Sequence, residues 1–357
     1  MGARTRGLAN NVLTSGKLDA TDALSGVVPA SNIANASLTS ATSYGSVTGG
    51  VPAVASDPPS PTEGDIWYNT TSGQIKFRAT VQAWASGGNV STARYALAGA
   101  GTQTAGLIFG GDIPPGFPTT AEEYDGTSWT NGGNMATGRY NIMGCGTQTA
   151  GLAFGGTPPT TSATEEYDGS TWTAGGSMST IREAGAAAGI QTAALAIGGN
   201  TPSPTTATEE YNGSTWTTGG TLGTGRAYSA GAGIQTAGLV FGGSPQPASG
   251  ALTEEYDGTS WTAGGTLNTA RYNPGGAGIQ TAALAFGGRD PALGSTESYN
   301  GTSWTTTSSM GTARYQHAGF GTSSLALAAS GHATGGGGNS LTATEEWTSG
   351  PTTTVVG

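Results

Sequence analysis

Cysteine is almost missing from this 357-residue chain. Cys145 is the only one, so no intrachain disulfide can form and the redox compartment is left open. Lysine occurs only at Lys17 and Lys76, charged residues make up 10% of the chain, and the formal net charge is −10. Nucleic acid is therefore not an expected partner, because phosphate binding needs clustered Lys and Arg. No run of 18 apolar residues occurs, so no membrane insertion is expected. The opening stretch MGARTRGLANNVL lacks the apolar core of a secretory signal. Synthesis in a cytoplasm without a signal peptide is the expectation, and an extracellular role then needs another exit, such as lysis.

What the chain does have is glycine, 64 copies, placed in a repeat. Trp84, Trp129, Trp172, Trp216, Trp261 and Trp304 recur every 43–45 residues. Arg94, Arg139, Arg182, Arg226, Arg271 and Arg314 follow the same period, as do glycine doublets such as Gly110-Gly111 and Gly242-Gly243. One unit runs RAYSAGAGIQTAGLVFGG, a variable loop, then TEEYDGTSWTAGG. It divides into four short strands: small and flat, apolar, Glu–Tyr alternating, and Trp-bearing. Asp-Gly or Asn-Gly stands between the third and fourth strands in five copies, which predicts a two-residue type I′ hairpin turn there. Four antiparallel strands in about 44 residues match one propeller blade.

The sixth copy has Arg314, SLALAASG and TATEEW, with Trp347 at the tyrosine position and no fourth strand after it. The missing strand lies at the other end: AWASGGNVSTARY, residues 83–95, matches SWTNGGNMATGRY, residues 128–140. The expectation is an all-β, six-bladed propeller of four-stranded blades, its ring closed by an N-terminal strand. A closed ring leaves no sheet edge open to aggregation.

The unit resembles the kelch repeat in its glycine doublet after an apolar strand, its Glu two before Tyr, its Tyr followed by Trp, and the Arg opening the next unit. The resemblance covers residues 84–348. It implies a kelch-type propeller and no particular function.

Four assignments follow for the domains: residues 1–50 an extended N-terminal attachment segment, 51–65 a Pro-rich linker, 66–79 a β-hairpin, and 80–357 the propeller. Residues 1–50 carry too little apolar mass to fold alone. The stretches LDATDALSGVVP and GDIWYNTTSGQIKFRATVQAW resemble segments of bacteriophage tail-fibre and other virion proteins. That resemblance implies attachment to other virion proteins through residues 1–50, a location on the phage particle after synthesis in the host cytoplasm, and a homotrimer in the manner of fibres.

The first Glu of each pair, Glu122, Glu165, Glu209, Glu254, Glu297 and Glu345, matches the six repeat arginines in number. The pattern is read as a structural ion pair repeated between blades, in preference to a cation-binding ring. The second Glu, replaced by Ser298 in one copy, is read as a solvated or edge charge, or at most a weak calcium contact. Cys145 is read as a small buried filler, placed in the second-strand region of the first blade. Some kelch propellers are copper oxidases with two His, tyrosines and a Cys, but His317 and His332 fall in the sixth copy, far from Cys145. No cofactor and no metal are expected.

The loops between second and third strands differ most between copies, and variable loops on a rigid frame are where binding is built. Phe117, Arg289, Asp290 and His332 are their chemically distinctive members and are the candidate binding residues. No catalytic residue stands out, so the expectation is a non-enzymatic virion structural protein, a tail fibre or similar appendage, recognising a host-surface glycan or protein. The alternatives are a carbohydrate-active lyase or hydrolase, and a capsid or neck decoration protein without a receptor role.

Overall fold

In the computed structural model the described residues are 51–355, apart from 63, 246–248, 290 and 334–339. The attachment segment 1–50 and Asp290 lie outside them. The described residues fall into two compact units, 82–349 and a smaller one of 51–81 with 350–355.

The larger unit is a six-bladed β-propeller. Its first blade consists of Ala98–Thr102, Ala105–Phe109, Ala121–Tyr124 and Trp129–Asn131, paired in that order as one antiparallel sheet. Four further sheets repeat it over residues 143–174, 186–218, 230–263 and 275–307. The sixth contains Ala318–Gly321, Leu325–Ala329 and Thr344–Val355, and its next strand is Gln74–Ser86, drawn from before the first blade. Trp84 thus lies beside Trp347, with ring centroids 5.6 Å apart.

Each strand has a composition that suits its place. The first strands line the axis and pack side by side, which only small residues permit. A Cβ added to Gly231 would fall 2.3 Å from the Ala187 carbonyl of the neighbouring blade. The second strands are buried on both faces and are apolar throughout, as in Leu107, Ile108 and Phe109. The outermost strands begin with Trp and continue with exposed residues.

The Asp-Gly turns differ from the two-residue type I′ form. Tyr124 pairs with Trp129, leaving a four-residue loop in which Gly126 has positive φ and Asp125 does not. Asp125 Oδ1 instead accepts from the amides of Thr127 and Ser128, an Asx turn that does the work expected of two left-handed residues. These bonds, with the Thr127 hydroxyl the largest influence, hold the Asp125 carboxyl well below the usual range.

The Arg–Glu pairs are present six times and lie within blades, not between them. Arg94 Nη2 meets Glu122 Oε1 at 2.7 Å, and the same contact joins Arg139–Glu165, Arg182–Glu209, Arg226–Glu254, Arg271–Glu297 and Arg314–Glu345. Nη1 of Arg94 donates to the carbonyls of Gly110 and Thr120, and Glu122 Oε2 accepts from the amide of Ser91. One ion pair therefore ties the incoming connection to both roots of the variable loop. Burial pulls each guanidinium pKa down and its glutamate opposes that.

Blade-to-blade contact falls to other residues. Tyr167 donates to Glu123 of the preceding blade at 2.5 Å, and Tyr124–Glu346, Tyr211–Glu166, Tyr256–Glu210 and Tyr299–Glu255 repeat this. The second glutamate is thus an inter-blade acceptor rather than a solvated charge. Gln148 donates to two carbonyls of the preceding blade, Gly106 and Tyr124, and Gln103, Gln191, Gln235 and Gln280 do likewise. The indole of Trp216 reaches back to Thr164 Oγ1, and four other blades share this bond. The second blade is the exception. Ala121 stands where the others have Thr, and Trp172 turns to the Gly133 carbonyl.

Cys145 lies in the first strand of the second blade, Met143–Thr147, rather than in the first blade. It is buried, and burial pushes its thiol up to about 12, so it stays protonated and unreactive.

In the smaller unit Ile66–Asn69 pairs with the first part of Gln74–Ser86, and Ala53–Val54 adds a parallel strand on Ile66–Asn69. Asp57 accepts from the Trp67 indole, Asn69 and Lys76, so part of the Pro-rich stretch is bonded to the hairpin. Among the described residues no helix is long and apolar enough to cross a membrane.

Candidate functional site

The connection entering each blade carries three residues after its arginine that define one mouth of the axial channel. The second of them is left-handed in every blade: Ala96, Asn141, Ala184, Tyr228, Asn273 and Gln316 have φ of 49–56°. Their backbones form a closed cycle. Asn141 N donates to Ala96 O, Ala184 to Asn141, Tyr228 to Ala184, Asn273 to Tyr228, Gln316 to Asn273 and Ala96 to Gln316, over 2.6–3.2 Å. Left-handed backbone costs a non-glycine residue roughly 1–2 kcal/mol, and the bond gained to the next blade offsets it. These six and their successors, Leu97, Ile142, Gly185, Ser229, Pro274 and His317, line the axial opening.

The residue before each ring member bridges the variable loop. Tyr95 pairs with Asp112, Tyr140 with Thr157, Glu183 with Asn200, Ala227 with Ser244, Tyr272 with Arg289 and Tyr315 with His332. The variable loops and the entering connections therefore share one face. That face holds five phenols: Tyr95, Tyr140, Tyr228, Tyr272 and Tyr315. Tyr140 and Tyr315 lie near enough to contribute to the raised pKa of Tyr95, and Tyr140 and Tyr272 to that of Tyr228, behind burial in both cases.

Local contacts fix these rings. The Tyr95 hydroxyl donates to Asp112 at 2.6 Å, and burial with this bond pushes it up to about 12. His332 is buried between Tyr95 and Tyr315, at centroid distances of 3.8 and 5.5 Å. The Arg289 guanidinium lies 5.0 Å over the Tyr315 ring. Phe117, which is exposed, stacks on Tyr140 at 5.0 Å. Burial first, then the charge of Glu183, raises the pKa of both Tyr140 and Tyr228.

Of the four candidate binding residues, Phe117, Arg289 and His332 thus contact the tyrosines of this face, and Asp290 lies outside the described residues. Sequence reasoning passed over the tyrosines and Glu183, although the pairs RY, RY, RE, RA, RY and RY after the repeat position displayed both. His317 belongs to the lining of the axial opening, where its ring is buried in the seam between the fifth and sixth blades, 5.6 Å from Phe286.

Phenol faces, amides and a few charges on a rigid frame can stack a sugar ring or a cation and hydrogen-bond its substituents. Among the described residues no three His, Cys, Asp or Glu side chains form a group able to hold a metal. No protein-family profile matches the chain, and no curated protein is significantly similar to it.

Proposed function

We propose that this chain is a kelch-related, non-enzymatic recognition subunit of a phage appendage. In this reading residues 1–50 attach it to other virion proteins, with a homotrimer as the assembly, and the tyrosine face of the propeller meets a host-surface glycan. The attachment half is supported by the resemblance of LDATDALSGVVP and GDIWYNTTSGQIKFRATVQAW to segments of virion proteins. The recognition half is supported by one observation: five phenols, with Phe117, Arg289 and His332, gathered on the face that also carries the variable loops. Rigid aromatic side chains give large contact area at low entropic cost, which suits a binding surface.

The test applies full-length protein to a glycan array and to host cells, beside a Tyr140→Ala/Tyr272→Ala variant of unchanged thermal stability. Binding by the native chain that falls at least tenfold in the variant supports the reading. Binding that the variant retains in full removes this face from the interaction, and binding to no surface at all removes the recognition role. Labelled antibodies against the N-terminal segment and the propeller, imaged on particles, decide which end lies outermost.

A further inference from the structure

We infer that the tyrosine face contains a subsite for a small organic cation, an alkylammonium group, centred on Glu183. The inference rests on the recognition reading above and specifies one ligand chemistry within it.

Glu183 breaks the pattern of its position. Four of the six blades place tyrosine there and the fourth blade places alanine. Glu183 is only half-buried, and among the described residues no Lys or Arg lies within ion-pair distance of it. This sets it apart from the six buried repeat glutamates, each of which has its arginine. Among the described residues its one polar side-chain contact is the Asn141 amide at 3.5 Å, too long to satisfy a carboxylate. Tyr140 and Tyr228 flank it, because the Ala184 amide donates to Asn141, beside Tyr140, and the Tyr228 amide donates to the Ala184 carbonyl, and its charge raises both phenols. Phe117 extends the wall by stacking on Tyr140.

A carboxylate among aromatic faces is the arrangement that recognises ammonium groups, through charge on one side and ring quadrupoles on the others. The same face already shows the interaction in the opposite sector. There the protein supplies its own cation, the Arg289 guanidinium over Tyr315. Around Glu183 the tyrosines of the two neighbouring blades and the negative charge are present, and the described residues supply no cation. Phosphate or carboxylate ligands are repelled at Glu183.

The ammonium group has two plausible sources, a quaternary choline head group or the primary amine of an amino sugar, and the experiment separates them. Full-length protein is titrated with choline, with glucosamine, and with 3,3-dimethyl-1-butanol, the uncharged isostere of choline, followed by calorimetry and by fluorescence. Millimolar or tighter binding of choline or glucosamine, at least tenfold tighter than the uncharged isostere, is expected. Which of the two binds identifies the source. Glu183→Gln, matched in thermal stability, is expected to lose at least tenfold in affinity, and Tyr228→Ala a similar amount, while Tyr228→Phe retains most of it. Equal binding of choline and its isostere, unchanged binding by Glu183→Gln, or no binding of either amine overturns the inference. Cell or glycan binding that persists in Glu183→Gln leaves the recognition reading standing while this subsite falls. Loss of both in the Tyr140→Ala/Tyr272→Ala variant alone returns the question to the face as a whole.

Discussion

The indole of Trp84 lies 5.6 Å from that of Trp347, although the two come from opposite ends of the propeller sequence. Trp84 also packs 5.0 Å from Phe286 and donates to Thr296 Oγ1, both in the fifth blade. One side chain thus joins the strand that completes the sixth blade to the blade before it.

Trp84→Ala is expected to cost about 3–5 kcal/mol, the range for removing a packed aromatic. Trp261→Ala is the comparison. Trp261 makes the same threonine bond and is likewise partly buried, but it packs against the cluster holding Ile197 where Trp84 meets Phe286 and Trp347, so its loss is expected to cost less. Urea unfolding followed by circular dichroism measures both. A Trp84→Ala cost under about 1 kcal/mol would mean that the ring is held closed without this strand.

The repeat ion pairs give a second expectation. In the third blade both Arg182 and Glu209 are essentially fully buried, with two carbonyls at Nη1 and the Ser179 amide at Oε2 as their further partners. Glu209→Ala strands a buried guanidinium, and the expected loss is about 3–5 kcal/mol. Replacing both members by apolar residues of similar volume is expected to cost less than the single change. A single change no worse than the double, measured in the same urea titration, contradicts this account.

Much of this was legible because the repeat reports it six times. The Trp, Arg and Glu series fixed the blade count, and the match of 83–95 to 128–140 located the closing strand. Pair direction was not legible. Arg94 and Glu122 recur at one period wherever they meet, so periodicity alone cannot tell a contact within a blade from one between blades. The second glutamates were misread for a related reason. Glu123 sits on the outward-alternating side of its strand, but the next blade covers that side and brings Tyr167 to it. The left-handed ring was hidden because Ala, Tyr and Gln occupy positions where sequence suggests only Gly or Asn. Inter-blade hydrogen bonds, rather than residue preference, enforce that conformation.

His317 supplies a pH expectation. Neither ring nitrogen has a hydrogen-bond partner among the described residues, and Gly275 leaves the room its ring and Phe286 occupy. Burial first, then the charge of Arg314, drives its pKa down to about 3 from 6.5. The folded state therefore keeps it neutral, while the unfolded chain takes up a proton below about pH 6.5. Stability is untouched above that pH and is lost progressively as pH falls towards 3, by up to a few kcal/mol. The first and second blades place Leu97 and Ile142 here, so His317→Leu fits the site. Thermal melts from pH 7 to pH 4 should fall more steeply for the native chain than for His317→Leu. Parallel curves would show that the histidine is not a source of acid sensitivity.

The seam between the fifth and sixth blades lacks two of the ring's latches at once. Trp347 stands where five blades have tyrosine, and Ser298 stands where the preceding blade would supply the accepting glutamate. Ser323 replaces the latch glutamine, and its carbonyl receives the Trp347 indole instead. The paired loss implies that the tyrosine and the glutamate are useful only together, which a double-mutant cycle can measure. Ser298→Glu alone brings a carboxylate to an indole that offers it no hydroxyl, and should destabilise by about 1–3 kcal/mol. Trp347→Tyr alone loses packing against Trp84 and leaves a phenol without its acceptor. Together they recreate the bond seen between Tyr299 and Glu255, so the double variant should recover at least about 1 kcal/mol beyond the sum of the single costs. That coupling carries its own pH signature. The other latch tyrosines are pushed up to about 12, by burial first and then by donation to glutamate. A phenol raised in the fold contributes its full stability below about pH 10 and loses it as pH rises towards 12. The coupling should therefore be constant from pH 7 to 9 and fade above 10. Additive single changes at pH 7 would show that the tyrosine and glutamate vary independently, and that the seam is held by its aromatic packing alone.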